Sequence, residues 1–305
     1  MNERPLVSVL VANHNNARFI EDALDSVLAQ TYSNIEIVVV DDASTDDSLG
    51  VIDDYIKVHP NHNIMLYQSF CSHGCGRVKR KCVDIARGEY FAFLDPDDKI
   101  APDAVEKLVS IHEDKSCYSI VYSTQFLCDE NLQIQSKAYW PGEIPLGQSN
   151  LTSKKGHVSA FALCKKSCYD QTAGINPEYI VAEDQDLYFK MEEIAPVFFL
   201  NEPLYYYRKH DHNMSYSDDK EARNRYWLMQ CVEAAYHRRK KSYPHVPNIT
   251  KKDLLVYRLE YHIAAAGAKK KSNKPFGVDL IKIMALSPFS VRKGFRGIKT
   301  ICSSK

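Results

Sequence analysis

The sequence predicts a doubly wound α/β fold followed by a basic, mainly helical C-terminal region. Within about 110 residues, four short apolar runs alternate with patterns of helical period, as in a mainly parallel sheet covered by helices. The composition of the 305 residues, 45% hydrophobic and 26% charged, excludes collagen-like and largely disordered chains. No apolar run approaches the roughly 20 residues that cross a bilayer.

Each element of the α/β region follows from its own pattern. Ile35–Val40 is a nearly continuous apolar run, which is typical of a strand buried on both faces of a parallel sheet. Ile20, Leu24 and Val27 recur at the spacing of one helix face. By the same reasoning we expect strands at 7–11, 35–40, 64–67 and 90–94. We also expect helices at 18–30 and 76–87, one helix that ends near residue 58 and one that begins after Pro102.

The formal charge of zero hides a strong asymmetry. Residues 220–305 hold 20 Lys and Arg against 5 Asp and Glu, a net +15, so residues 1–219 carry −15. We therefore predict a domain at 1–219 and a basic helical region at 220–305. Aromatic side chains among the basic residues suit an anionic membrane surface. Packing on the acidic domain and homo-oligomer formation are the alternatives, and no nucleic-acid partner is expected because no such motif occurs.

The cysteines and the first residues bear on the cellular compartment. The nine cysteines are an odd number without a CxxC pair, which indicates reduced thiols. Residues 1–5 lead into a short apolar run without the apolar core of a secretory signal. We expect a cytoplasmic protein that is peripheral on the inner membrane face if the basic region binds lipid.

Polar residues follow three of the predicted strands at their carboxyl ends, where open α/β sheets bind ligands. They are Asn13–Asn16, Asp41 with Asp42, and the segment Asp95-Pro96-Asp97-Asp98. Carboxylates at one strand end repel each other unless a cation lies between them, and Mg²⁺ and Mn²⁺ prefer oxygen ligands. The alternative for the third segment is a solvated turn that caps the next helix.

A nucleotide bound at this edge would need side chains or a metal to hold it. The sequence contains neither GxGxxG nor GxxxxGKS/T, which argues against a nicotinamide dehydrogenase and a P-loop NTPase. Asp41 or Asp42 could accept a hydrogen bond from the imide N–H of a uracil-like base. The alternative for one of them is to cap the following helix.

The first 216 residues also contain a series of recognisable segments. They are Val7–Asn15, Ala23–Tyr32, Asn34–Glu36, Val40–Asp46, Ala86–Asp98, Ala182–Leu187 and Tyr207–Ser215. In this order they resemble the family 2 inverting glycosyltransferases of the GT-A fold. The resemblance implies a Rossmann-like, doubly wound mixed sheet and a nucleotide-diphospho-sugar donor, by preference a UDP-sugar.

The resemblance also implies roles for single residues in the nucleotide pocket. The pocket would be lined by Ala12, Asn13, His14, Asn15 and Asp42. Of these, Asp42 would contact the base. The basic stretch at 74–82 departs from the family's usual sequence but remains suited to a diphosphate. Its candidate contacts are Lys79 and Arg80, and whether these or Arg77 point inward is left open.

The same resemblance implies a metal site and a catalytic base. Asp95 and Asp97 would bind the diphosphate and a Mn²⁺ or Mg²⁺ ion, and His210 matches a histidine near that ion. Asp184 would be the general base. Direct displacement at an anomeric carbon needs a carboxylate that removes the proton of the acceptor hydroxyl. It also needs the negative charge of the leaving group to be neutralised. Acidic residues at 183 and 184 would equally suit a helix N-terminus, and both roles can hold together.

These observations together predict a metal-dependent inverting glycosyltransferase that acts in cell-surface polysaccharide or glycolipid synthesis. Its acceptor would be a hydroxyl of a glycan or of a lipid-linked carrier. One alternative is a catalytically inactive relative that binds a glycan or supports a partner protein. A sugar nucleotidyltransferase is the other, but it should have a Gly-rich first loop where this chain has Asn13–Asn16.

Overall fold

The computed structural model describes residues 4–115, 117–154, 156–211, 213, 218–240, 243, 246–272 and 274–286. The chain divides into two compact units. The first is Met1–His210 with Pro244–Val246, and the second is Asp211–Tyr243 with Pro247–Lys305. This division lies close to the one predicted at residues 219 and 220. Residues 287–305 of the predicted basic region lie outside the described residues.

The first unit contains the predicted alternation of strands and helices. In chain order its elements are β1 Val7–Asn13, α1 Ile20–Leu28, β2 Ile35–Asp41, α2 Ser48–Val58, β3 Ile64–Gln68, α3 Cys75–Ile85, β4 Tyr90–Phe93, β5 Lys99–Ile100, α4 Ala104–Asp114, β6 Ile120–Cys128, β7 Ile134–Lys137, β8 Ala162–Lys165, α5 Lys166–Tyr169, α6 Glu183–Ile194 and β9 Val197–Arg208. The four strands and four helices expected before residue 115 are confirmed, with ends that differ by a few residues.

The strands form one mixed sheet in the order β3-β2-β1-β4-β8-β6-β9-β5, with β7 paired to β6. Strands β3, β2, β1 and β4 are parallel neighbours. Strand β8 runs antiparallel to β4 and β6, β9 runs parallel to β6, and β5 runs antiparallel to β9. The predicted doubly wound mixed sheet is therefore confirmed.

Strand β2 is buried on both faces of this sheet, as the continuous apolar run at 35–40 predicted. On β2, Ile37 and Val39 belong to the core layer that includes α1 and α4 residues. Val38 and Val40 belong to the opposite layer, which includes residues of α3 and α6. Burial on both faces explains why this strand lacks the alternation of a half-exposed strand.

The second unit is helical, with α7 Asp218–Arg238, α8 Lys251–Lys271 and α9 Gly277–Leu286. The helical character predicted for this region is confirmed for the described residues. Helix α8 begins with a capping box, in which Thr250 Oγ1 accepts from Asp253 N at 3.2 Å and Thr250 N donates to Asp253 at 3.0 Å. In the part of the chain that the structure describes, no helix has the length and hydropathy to cross a membrane.

Candidate active site

The sheet order places the predicted polar segments next to one another. Strands β2, β1 and β4 are adjacent and parallel, so their carboxyl ends share one edge. Asn13 and Asp41 are register partners at that edge. Asp95 follows β4 by two residues. The prediction that three strands deliver polar groups to one edge is confirmed.

Asp41 and Asp42 both bind neighbouring loops. Asp41 Oδ1 accepts from Asn13 Nδ2 at 2.7 Å and from Ser44 Oγ at 2.5 Å. Neither aspartate caps α2, whose N-cap residue is Asp47 and makes no side-chain cap hydrogen bond. The alternative that one of the pair would cap this helix was wrong, because other residues occupy both carboxylates.

Asp42 holds the loop that leads into α3. Its buried carboxylate accepts from Ser72 Oγ at 2.8 Å, His73 N at 2.7 Å and Gly74 N at 3.0 Å. Three donors from one loop fix the position of that loop beside the strand edge. The predicted contact between Asp42 and a base stays a prediction.

The residues after β1 divide into a buried and an exposed group. Ala12 is half-buried and packs on the α3 layer, and Asn13 is buried with Oδ1 lacking a hydrogen-bond donor among the described residues. His14 is exposed, with Nδ1 2.9 Å from the Asp42 carbonyl. Asn15 has φ 58° and its Oδ1 accepts from Thr45 N at 2.7 Å. This loop is therefore fastened to the loop after β2.

The aspartates after β4 have different surroundings. Asp98 is buried and accepts from the Tyr205 hydroxyl and from Arg208 N, both at 2.7 Å. Asp97 is more exposed, and its Oδ2 lies 2.9 Å from His210 Nε2. The structure therefore brings two of the predicted metal ligands together. It assigns Asp98 a structural role, because β9 holds both of its oxygens.

Glu183 and Asp184 lie in the first turn of α6, so the helix-terminus role expected for them is confirmed. Glu183 is buried and its Oε1 lies 2.8 Å from Lys79 Nζ, which is also largely buried. Cys75 Sγ donates to the same oxygen at 3.2 Å. Lys79 also lies over the ring of Phe93, 5.3 Å from its centroid. Helix α3 thereby delivers one cation to the α6 carboxylates.

These groups interact electrostatically. Burial raises the pKa of Asp95 to about 6, with Lys79 opposing the shift and the charges of Asp97, Asp184 and Glu183 adding to it. Burial and the Glu183 charge also raise the pKa of Asp184. Against the effect of burial, the carboxylates raise the pKa of Lys79 well above its usual value. We call Lys79, Asp95, Asp97, Glu183 and Asp184 the acid cluster.

The acid cluster fits part of a site for a hard divalent cation. Among the described residues, no three His, Cys, Asp or Glu side chains form a ready group of metal ligands. Asp95 and Asp97 nevertheless supply oxygen ligands, and the negative charge of Asp97 adds to the rise that burial produces in the pKa of Asp95. A cation would relieve the repulsion between these charges, with its remaining ligands supplied by water or a phosphate group.

Arg77 and Arg80 lie elsewhere on α3. Arg80 Nη1 donates to the carbonyls of Ala173 at 2.9 Å and Ile175 at 3.1 Å, and Arg77 pairs with Glu178. Both arginines line a cavity of about 460 Å³ whose lining includes no residue of the acid cluster. Of the two cations predicted to contact a diphosphate, the structure thus brings Lys79 to the cluster and places Arg80 against the loop before α6.

Two residues of β9 that support this site, Tyr205 and Arg208, had no role predicted from the sequence. Arg208 is buried and donates to the carbonyl of Asp97 at 2.6 Å, to the carbonyl of Glu130 at 2.8 Å and to Asp22 Oδ2 at 2.7 Å. Tyr205 binds Asp98 and accepts from Asp95 N at 3.3 Å. The sequence feature that could have identified Arg208 was its position at the end of a strand, two residues before His210.

Comparisons with known proteins identify the family of this chain. The model of glycosyl transferase family 2 matches residues 8–172. Chondroitin synthase of Escherichia coli is 30% identical over 212 residues, which cover 69% of this chain and 30% of the synthase. The putative glycosyltransferase EpsH of Bacillus subtilis is 29% identical over 224 residues, covering 68% of this chain and 62% of EpsH. The chain therefore spans less than two thirds of these relatives.

Solved structures share the fold. Residues 1–349 of S. aureus TarS in complex with UDP align with a TM-score of 0.61 at 16% identity, covering 97% of this chain and 90% of that TarS chain. The mannosyltransferase PcManGT from Pyrobaculum calidifontis, in complex with GDP-Man and Mn²⁺, aligns with a TM-score of 0.60 at 17% identity. The alignment covers 100% of this chain and 89% of the PcManGT chain. With more than half of its length matched by the family model, the chain belongs to glycosyl transferase family 2 and has the GT-A fold.

Proposed function

We propose that this glycosyltransferase is metal-dependent and inverting, and moves a sugar from a nucleotide-diphospho-sugar to a hydroxyl. The observation that carries the proposal is the acid cluster, which combines the aspartates after β4 with Asp184 on α6 around one buried lysine. TarS bound to UDP and to UDP-GlcNAc, and PcManGT bound to GDP-Man, support a nucleotide-sugar donor. We favour a UDP-sugar.

In the proposed reaction Asp184 removes the proton of the acceptor hydroxyl. The hydroxyl oxygen forms a bond to the anomeric carbon while the bond from that carbon to the diphosphate oxygen breaks, which inverts the configuration. Burial and the charge of Glu183 raise the pKa of Asp184, which makes its carboxylate a stronger base. Lys79 keeps a positive charge within the cluster and limits that shift.

Asp95, Asp97 and His210 are the residues that would hold a Mn²⁺ or Mg²⁺ ion. Such an ion would neutralise negative charge on the leaving diphosphate. His210 Nε2 lies 2.9 Å from Asp97 Oδ2, so the two side chains can orient each other as well as bind the ion. PcManGT in complex with Mn²⁺ supports a divalent cation as the cofactor.

The nucleotide would bind beside the loops after β1 and β2. Asn13 Oδ1 is buried without a donor among the described residues, so we propose that it accepts from an N–H group of the base. Asp42 already accepts three hydrogen bonds from residues 72–74, so a base that contacts Asp42 must share its oxygens with this loop. His14, exposed beside Asp42, would cover the base.

The acceptor is proposed to be a glycan or a lipid-linked carrier in cell-surface polysaccharide or glycolipid synthesis. The relatives named chondroitin synthase and hyaluronan synthase support this class of product. Tyr139 is 91% exposed and contacts Trp140 edge to face, so core packing does not account for its ring, and it could stack on an acceptor sugar. A lipid-linked acceptor would place the protein at the inner membrane face.

A thermal-shift panel of nucleotide sugars tests this proposal. We expect a UDP-sugar to raise the melting temperature only with Mn²⁺ or Mg²⁺ present, and the same donor to be hydrolysed slowly. Asp97→Ala should remove the metal dependence, whereas Asp54→Ala, which removes an exposed carboxylate on α2, should behave as wild type. A metal titration unchanged in Asp97→Ala would contradict the ligand role. Binding without hydrolysis or transfer would favour the inactive glycan-binding alternative.

The affinity for the metal ion is expected to fall as the pH is lowered through about 6. The pKa of Asp95 is raised to about 6, so protonation removes a ligand charge below that pH, and above it the carboxylate is fully available. We expect roughly a tenfold loss of Mn²⁺ affinity per pH unit below this pKa and a plateau above it. Mn²⁺ titrations across this range measure the effect, and constant affinity down to pH values well below 6 would contradict it.

A further inference from the structure

Helix α9 presents an apolar face to solvent. Val278, Ile281 and Met284 are 65%, 63% and 55% exposed, and Ala285 is exposed as well. Val278, Ile281 and Ala285 follow one another at i, i+3 and i+7, so they share one stripe of the helix. Single exposed apolar residues are ordinary on protein surfaces, but a continuous stripe marks a contact surface. We call Val278, Ile281, Met284 and Ala285 the α9 stripe.

The direction of the α9 stripe is fixed by the contacts of α9 with α8. Asp279 is buried and accepts from Lys269 Nζ at 2.7 Å, and its Oδ1 lies 3.2 Å from His262 Nδ1. Ile283 is fully buried against Leu259 and Ala266 of α8. Since this polar network and this apolar contact both hold the inner face, the opposite face must point away from α8.

Exposed lysines accompany the α9 stripe in the sequence. Lys282 is exposed on α9, Lys274 is exposed three residues before the helix, and Lys271 is exposed at the end of α8. Asp279 is the one acidic residue in the sequence of α9, and it is buried in the pairs with Lys269 and His262. The sequence after α9, residues 287–305, adds five Lys and Arg and no Asp or Glu.

We propose that α9 lies on an anionic lipid bilayer, with the α9 stripe among the lipid chains and the lysines at the headgroups. Apolar side chains on one helix face with lysines beside them match such an interface, because the apolar area and the charge both favour binding. A protein partner would bury the stripe without any need for the lysines. The proposal rests on the proposed function, since a lipid-linked acceptor would lie in the same bilayer.

Vesicle flotation of the full chain tests the proposal. We expect binding to phosphatidylcholine vesicles with roughly 30% phosphatidylglycerol, weak binding to phosphatidylcholine alone, and a loss of binding at high salt. Ile281→Ser should lower the partition coefficient roughly tenfold, and Val278→Ser, Ile281→Ser and Met284→Ser together roughly a hundredfold or more. Val58→Ser, which removes a comparably exposed valine on α2, is the matched control and should bind as wild type.

Two further measurements keep the outcome unambiguous. Circular dichroism melts show whether the triple variant folds, and donor hydrolysis in solution should be unchanged in it. Vesicle binding equal to that of wild type in the folded triple variant would overturn the proposal. So would a wild-type dimer in solution that the triple variant converts to a monomer. Vesicle binding without any donor hydrolysis would leave α9 as proposed and contradict the catalytic function instead.

Discussion

Replacing Asp184 with Asn is expected to abolish sugar transfer while donor affinity stays within about a few-fold of wild type. The substitution keeps the size of the side chain but removes the carboxylate that would accept the proton of the acceptor. A positioned general base contributes about 10²- to 10⁴-fold to a rate, so the loss should fall in that range or beyond. Transfer assays and calorimetric donor titrations measure the two quantities separately.

Asp170→Asn provides the matched control for this variant. Asp170 follows α5, is 56% exposed on its side chain and pairs with Lys166, so the same chemical change there should leave both measurements unaltered. If Asp184→Asn lost donor affinity in proportion to its loss of transfer, Asp184 would have a structural role in the first turn of α6 and no role as a base.

Replacing Lys79 with Met is expected to lower both stability and activity. Glu183 would keep a buried carboxylate without its cation, in electrostatic contact with the carboxylates of Asp95 and Asp184. Removing one partner of a buried ion pair typically costs roughly 3–5 kcal/mol in the free energy of unfolding. Donor binding should weaken as well, because the cluster would then meet the diphosphate with no positive charge of its own. Denaturant titrations and donor titrations measure these effects.

A second substitution separates the lost pairing from other effects of Lys79→Met. The double variant Lys79→Met with Glu183→Gln should recover part of the stability, since no uncompensated buried charge remains at 183. Lys81→Met removes a neighbouring cation of α3, which lies over the Tyr67 ring, and should change stability by less than about 0.5 kcal/mol. Equal stability of the Lys79→Met and Lys81→Met variants would mean that the buried pair contributes little.

The fold and the location of the site could be predicted because they depend on local patterns. The apolar run of β2 and the spacing within α1 specify elements, and alternation of strands and helices specifies a doubly wound sheet. In such a sheet the polar residues after β1, β2 and β4 must meet at one edge. The location of Asp95 and Asp97 at that edge could therefore be predicted from their position in the chain.

The partners of individual side chains could not be predicted because they depend on packing between distant segments. Lys79 and Glu183 are 104 positions apart and meet only because α3 and α6 pack on the same face of the sheet. Arg80, one residue along α3, points to the loop at 173–175 because successive helix residues face different directions. The sequence alone does not show which of these two side chains points toward α6.

The contacts of Arg208 have a consequence for any attempt to build chimaeras with relatives. This guanidinium binds the backbone of Asp97 and Glu130 and the side chain of Asp22, and it lies over the ring of Phe19. Three stretches of chain, far apart in sequence, are thus tied to a single side chain. A segment swapped at any one of these stretches will shift the other two unless the arginine's partners are transplanted with it.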